Sequence, residues 1–154
     1  MQIDVRHVEN SRVSSVEWEN LGFGRTFSDH MFIVDYTEGT GWHDARIEPY
    51  DNFVFAPSMS SLHYGQSIFE GMKAFRNNAG KLVLFRPDEH CARFNRSAVR
   101  MCMPEISEET FMDGLKQLVA LDKDWVKAEP GGQLYIRPMM FGTQEFLGVQ
   151  ASKN

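Results

Sequence analysis

Ser67-Ile68-Phe69-Glu70-Gly71-Met72-Lys73-Ala74-Phe75 is the stretch on which the fold turns. Its apolar residues Ile68, Phe69, Met72 and Phe75 stand at the spacing of one helical face, which predicts a helix over 67–75. Upstream, residues 51–63 mix Phe, Pro, Ser and Met and read as a connection crossing the domain. Before them, Met31-Phe32-Ile33-Val34 reads as a strand, Thr37-Glu38-Gly39-Thr40-Gly41 as a turn, and Trp42 to Ile47 as the returning strand of a hairpin. Residues 1–22 are polar, with little periodicity, and read as a mobile or draping arm.

Downstream, Asn77-Asn78-Ala79-Gly80 is a turn signal and Lys81 to Phe85 a short strand. Pro87-Asp88-Glu89 opens a helix, because proline is tolerated at the first helical position and acids in the first turn suit the helix dipole. Cys91, Phe94, Ala98 and Met101 form its apolar stripe, and Pro104 marks its end. Ser107 is a good N-cap for a further helix, whose inner face is Phe111, Leu115, Leu118 and Val119. Gly114 inside it costs about 1 kcal/mol against alanine. Pro130-Gly131-Gly132 breaks the chain, and Leu134-Tyr135-Ile136-Arg137 reads as a strand left at an edge by Pro138. The order strand, strand, helix, strand, helix, helix, strand predicts an α+β domain of two layers, helices packed on a mostly antiparallel sheet.

The 154 residues fit one domain, and 42% of them are hydrophobic, enough for a core. Sixteen basic residues are scattered among 21 acidic ones, net charge -5, which speaks against a nucleic-acid binder. No run approaches the roughly 18 apolar residues of a membrane span. The opening MQIDVRHVEN is neither a signal nor a transit peptide. Cys91 and Cys102, on one helix, would stand about 16 Å apart, too far for a disulfide, and read as small core residues of a reducing compartment. A cytoplasmic address is expected. His7, His30, His43, His63 and His90 have no metal-ligand spacing, so no metal site is expected. Gly22-Phe23-Gly24 lacks the third glycine of a dinucleotide loop, and no nucleophile elbow is present.

Three groups of residues could carry chemistry. Tyr135 and Arg137 share one face of their strand, opposite Leu134 and Ile136. The arginine's planar fork suits a carboxylate ligand, while a structural arginine paired with an acid of its own domain is the commoner case. His90, Arg93, Ser97 and Arg100 fall on one polar stripe. Two arginines near a serine can hold a phosphate, but a solvated helix face produces the same pattern and leads from these residues alone. Tyr64 and Phe69 are aromatics of the kind usually found in a core.

Four stretches, taken together and in order, resemble the branched-chain amino acid aminotransferases, pyridoxal phosphate enzymes of fold type IV. They are 27–31 (FSDHM), 62–76 (LHYGQSIFEGMKAFR), 84–87 (LFRP) continuing through Arg93 to 96–100 (RSAVR), and 134–138 (LYIRP) followed by 146–149 (FLGV). The resemblance runs from about Phe23 to Val149. It implies the small N-terminal domain of such an enzyme, over 23–154 after the arm 1–22, and amino transfer between Leu, Ile or Val and 2-oxoglutarate in a homodimer. It gives Arg93 to the cofactor phosphate, and Tyr135 and Arg137 to the substrate pocket, where the arginine meets the distal carboxylate of glutamate. Phe23, Tyr64 and Phe69 become aromatic walls, with Tyr64, Leu147 and Val149 reaching the partner subunit's site. One pocket must take both an apolar branched chain and an acidic one. Aromatic walls serve the first and a fixed arginine the second, since a buried carboxylate needs a paired charge.

Such chemistry needs a lysine that forms a Schiff base with the cofactor. The resemblance places that lysine in a second domain, past the position matching Asn154. Lys73, Lys81, Lys116, Lys123, Lys127 and Lys153 are the lysines present, and Lys73 matches a helix-surface position. No catalytic residue is therefore assigned, and this chain alone is expected to be inactive and not to bind the cofactor stably. The alternative is a short non-catalytic module that pairs with full-length aminotransferase subunits.

Overall fold

The computed structural model describes residues 2–129 and 132–154; the expected break at Pro130-Gly131-Gly132 lies partly outside them. The chain opens with β1 (Asp4–Val5), followed by two 3₁₀ turns, Val13–Ser15 and Trp18–Asn20. The expected hairpin is β2 (His30–Thr37) and β3 (Gly41–Pro49). These two pair antiparallel, with an irregularity between Ile33 and Asp35, and β1 adds parallel to β3 with Asp4 opposite Arg46. The arm thus begins as a sheet strand.

The helix expected over 67–75 is not there. The chain instead forms β4 (Ser67–Phe69) and β5 (Met72–Arg76). Gln66, Ile68, Glu70, Met72 and Ala74 are all buried while Ser67, Phe69 and Lys73 are exposed, the period of two that strands require. Two of the buried five are polar, so hydropathy concealed the alternation. Lys73 accordingly sits on a strand surface. The helix lies one step earlier, as α1 (Ser60–Tyr64) in the segment read as a connection, and Gly65 at φ 67° ends it in the left-handed conformation.

β6 (Leu82–Leu84) pairs with β5, and β5 pairs on its other side with β7 (Gln133–Ile136), both antiparallel. β8 (Met139–Phe141) pairs antiparallel with β4. The expected α+β class with mostly antiparallel sheets is what the structure has. α2 (Pro87–Arg100) and α3 (Glu108–Leu121) cover the sheets. Ser107 caps α3 by accepting from the Thr110 N–H at 3.1 Å. Core residues come from strands (Ile68, Met72, Ala74), from α2 (Cys91, Phe94, Ala98) and from α3 (Phe111, Leu115, Val119).

Gly114 is no defect in α3. A Cβ there would run into the Phe32 ring of β2, so the missing side chain is what lets the helix close on the sheet. Two core expectations fail at the end of α2. The helix stops at Arg100, and Met101 and Cys102 lie beyond it, exposed. No helix among the described residues is long and apolar enough to cross a membrane.

Candidate functional site

Residues 69–71 bring two arginines to neighbouring positions. Phe69 ends β4, Met72 begins β5, and Glu70-Gly71 links them. Pairing of β5 with β7 sets Met72 opposite Ile136 and Lys73 opposite Tyr135, which carries Tyr135 and Arg137 alongside this link.

The first arginine is Arg93 of α2. Its Nε and Nη2 both donate to the buried Glu70 carboxylate, Nη2 at 2.8 Å to Oε2. Oε2 also accepts from the Gly71 N–H at 3.1 Å and lies 2.9 Å from His90 Nδ1. The Arg93 bonds pull the Glu70 carboxyl from 4.5 down to about 2, against the upward push of burial and with help from His90 and Gly71. Glu70 in turn holds the Arg93 guanidinium charged more firmly. The Arg93 side chain is 57% exposed, and its Nη1 makes no hydrogen bond among the described residues. Beside it lies an open depression of about 650 Å³, lined by Phe69, Arg93, Arg96, Ser97 and Arg100 among others.

The second is Arg137. Its Nε and Nη2 donate to the Tyr135 hydroxyl oxygen at 3.1 and 2.8 Å, and its guanidinium lies 4.4 Å over the Phe69 ring. Among the described residues no carboxylate pairs with Arg137, so the common structural arrangement, an acid of the same domain, is not the one found. A guanidinium flanked by two rings and held by a neutral hydroxyl keeps its full charge for an incoming anion. Phe23 packs edge-on against Tyr135, ring centroids 5.1 Å apart.

Tyr135, Arg137, Phe69 and Phe23 are therefore one cluster, with Arg93 joined to it through Glu70. Phe69 (65% exposed) and Tyr64 are surface residues and not the core aromatics that spacing alone suggested. Tyr64 ends α1, and Leu147 and Val149 follow a stretch packed beside that helix, where Glu145 bridges to Met59 and the Phe146 N–H donates to Ser58. Leu147 and Val149 are exposed, and no ring or hydrogen-bond contact among the described residues ties either of them or Tyr64 to Arg137. Gly71 and Glu70 went unread in the sequence as site residues. The signal for Glu70 was present, a carboxylate inside an apolar run, which requires a buried partner.

A second buried polar cluster fixes the arm. Burial pushes the Asp29 carboxyl up, but bonds from the Ser11 hydroxyl, the Arg12 N–H, the Trp125 indole and the Arg12 side chain outweigh it and leave it low. His30 Nδ1 lies 2.6 Å from Asp122, and its Nε2 accepts from the Val8 N–H. Trp18 packs on Trp125. The arm is thus bound along its length up to Phe23. Among the described residues no group of three or more His, Cys, Asp or Glu is placed to hold a metal ion.

The amino-transferase class IV family model matches residues 67–154. Branched-chain-amino-acid transaminase 1 of Bacillus subtilis (strain 168) is 52% identical over 135 residues, 88% of this chain and 38% of that protein. A probable branched-chain-amino-acid aminotransferase of Staphylococcus epidermidis is 51% identical over 133 residues, 86% of this chain and 37% of that protein. This chain spans a little over a third of the length of these curated relatives. Among solved structures, a branched-chain amino acid aminotransferase of T.th., complexed with N-(5'-phosphopyridoxyl)-L-glutamate, superposes with a TM-score of 0.56 at 28% identity, over 67% of this chain and 32% of that one.

Proposed function

Because the chain belongs to the class IV aminotransferases, we propose that it is the N-terminal domain of a branched-chain amino acid aminotransferase and supplies the substrate-gripping side of its site. The observation that carries this is Arg137, charged, ring-flanked and without an acid partner among the described residues. Leu, Ile and Val lie against Phe69, Phe23 and Tyr135. When glutamate or 2-oxoglutarate enters instead, its distal carboxylate takes the Arg137 fork. Tyr64 at the end of α1 and Leu147 and Val149, all exposed, are the surface given to a second subunit in a homodimer. A cytoplasmic location, with no membrane or nucleic-acid partner, completes the reading.

The residues present fit pyridoxal phosphate at its phosphate end. Arg93 has its inner edge bound to Glu70 and its Nη1 without a hydrogen bond, beside a depression that Arg96, Ser97 and Arg100 also line. A dianionic phosphate is matched by that donor set. When bound, the cofactor supplies the electron sink for amino transfer. This chain's part is to orient Arg93 through Glu70 and to choose the substrate through Arg137. The cofactor-anchoring lysine is assigned to a second domain, and the relatives' greater length is consistent with that division.

The test is to combine this chain with a separately expressed second domain, add pyridoxal phosphate, and assay leucine-dependent formation of glutamate from 2-oxoglutarate. Activity only in the mixture is the expected result. Inactivity, with both pieces folded and bound to each other, contradicts the reading. With the chain alone, pyridoxal phosphate followed by borohydride is expected to leave no lysine stoichiometrically modified.

A further inference from the structure

We propose that Gly71 is a positioning residue that decides whether the site accepts a distal carboxylate, by leaving room for the phenol that holds Arg137. The proposal rests on the reading of Arg137 given above. A Cβ on Gly71 would lie 3.2 Å from Tyr135 Cζ and 3.3 Å from Cε2, and nearer still to the hydroxyl oxygen, well inside van der Waals contact. Gly71 does not have a positive φ, so its backbone conformation would accept alanine. The three atoms nearest to that Cβ all belong to the phenol.

The backbone is held on both sides of Gly71, by the Glu70 N–H donating to the Pro138 carbonyl at 2.8 Å and by Met72 pairing with Ile136. The Gly71 N–H is bonded to Glu70 Oε2, and Glu70 is clamped by Arg93 and His90. The strain of an added methyl group therefore falls on Tyr135. If the phenol tilts away, Arg137 loses the acceptor of both its hydrogen bonds. Three consecutive residues thus seat the two arginines: Phe69 lies beneath Arg137, Glu70 grips Arg93, and Gly71 bears the phenol. An aliphatic substrate makes no use of the Arg137 charge and keeps Phe69 and Phe23 as walls, so the larger effect falls on the acidic partner.

The test compares Gly71→Ala, Tyr135→Phe and the double variant, both in this chain and in the complete enzyme. In the complete enzyme, Gly71→Ala is expected to lower kcat/KM for glutamate by at least about tenfold while changing that for leucine by less than about threefold. In this chain, Gly71→Ala is expected to lower Tm by about 4 °C, as overpacking does. Adding Tyr135→Phe removes the nearest atom, and is expected to return most of the Tm while glutamate use stays low. Equal losses for glutamate and leucine, no loss for either, or a double variant no more stable than Gly71→Ala would overturn the proposal. If the complete enzyme transfers no amino group at all, the functional reading fails and the specificity claim with it. The Tm cycle on this chain still decides the seat.

Discussion

The two arginines beside residues 69–71 are held in opposite ways. Arg93 is tied to a buried carboxylate, while Arg137 is tied to a neutral hydroxyl and two aromatic faces. A guanidinium bound to a carboxylate is fixed in place, and its charge is partly cancelled on the inner side. A guanidinium bound to a phenol is steered but keeps its whole charge. The first arrangement suits an anion that stays, as a cofactor phosphate does. The second suits one that must come and go, as a substrate carboxylate does. The contrast also separates their roles in folding, since only the Arg93 site contains a buried charge that needs its partners.

Breaking the Arg93 side should therefore cost stability. Glu70→Gln, which replaces charged hydrogen bonds with weaker ones, is expected to destabilise the chain by about 2 kcal/mol in denaturant unfolding. Little or no change would show that Glu70 does not anchor Arg93.

The same carboxylate gives the contrast a pH signature. Glu70 titrates at about 2 when folded, against an ordinary 4.5. Its fold-stabilising contribution is complete above about pH 4.5 and is lost as pH falls from there toward 2. Glu70→Gln should remove that part of the acid sensitivity, so the wild-type and variant stability curves should converge as pH falls. Parallel curves would assign the acid response to other carboxylates, with Asp29 the first alternative.

Arg137 should behave differently. Arg137→Met is expected to change unfolding free energy by less than about 0.5 kcal/mol, because it removes no buried charge partner. A loss as large as that of Glu70→Gln would mean that Arg137 is structural, and the comparison would collapse.

Parts of this were legible in the sequence, and others were hidden for identifiable reasons. The Ser107 cap and the Pro87 helix start were readable because each is a local rule with one outcome. Strand alternation read Tyr135 and Arg137 onto one face, and although Arg137 lies just past the end of β7 its guanidinium does reach the Tyr135 hydroxyl. The 67–75 segment imitates a helix. Its apolar residues happen to fit a helical face, while the true alternation runs through Gln66 and Glu70, which are buried by their hydrogen bonds. Gly114 looked like a cost because the ring it accommodates, Phe32, is about 80 residues away in sequence. Gly71 was invisible as a seat for the same reason, its partner Tyr135 being distant along the chain. The arm looked unanchored because its anchors, Asp29 and His30 with Asp122 behind it, act through buried side-chain hydrogen bonds that leave no periodicity.

The most direct test of the central claim is to measure the two half-reactions separately in the complete enzyme, amino transfer from leucine and amino transfer from glutamate, with and without Arg137→Met. If Arg137 is the carboxylate grip, the glutamate half-reaction falls steeply and the leucine half-reaction is retained. If both fall together, or glutamate is used as before, Arg137 is not what selects the acidic substrate and the account of this site is wrong.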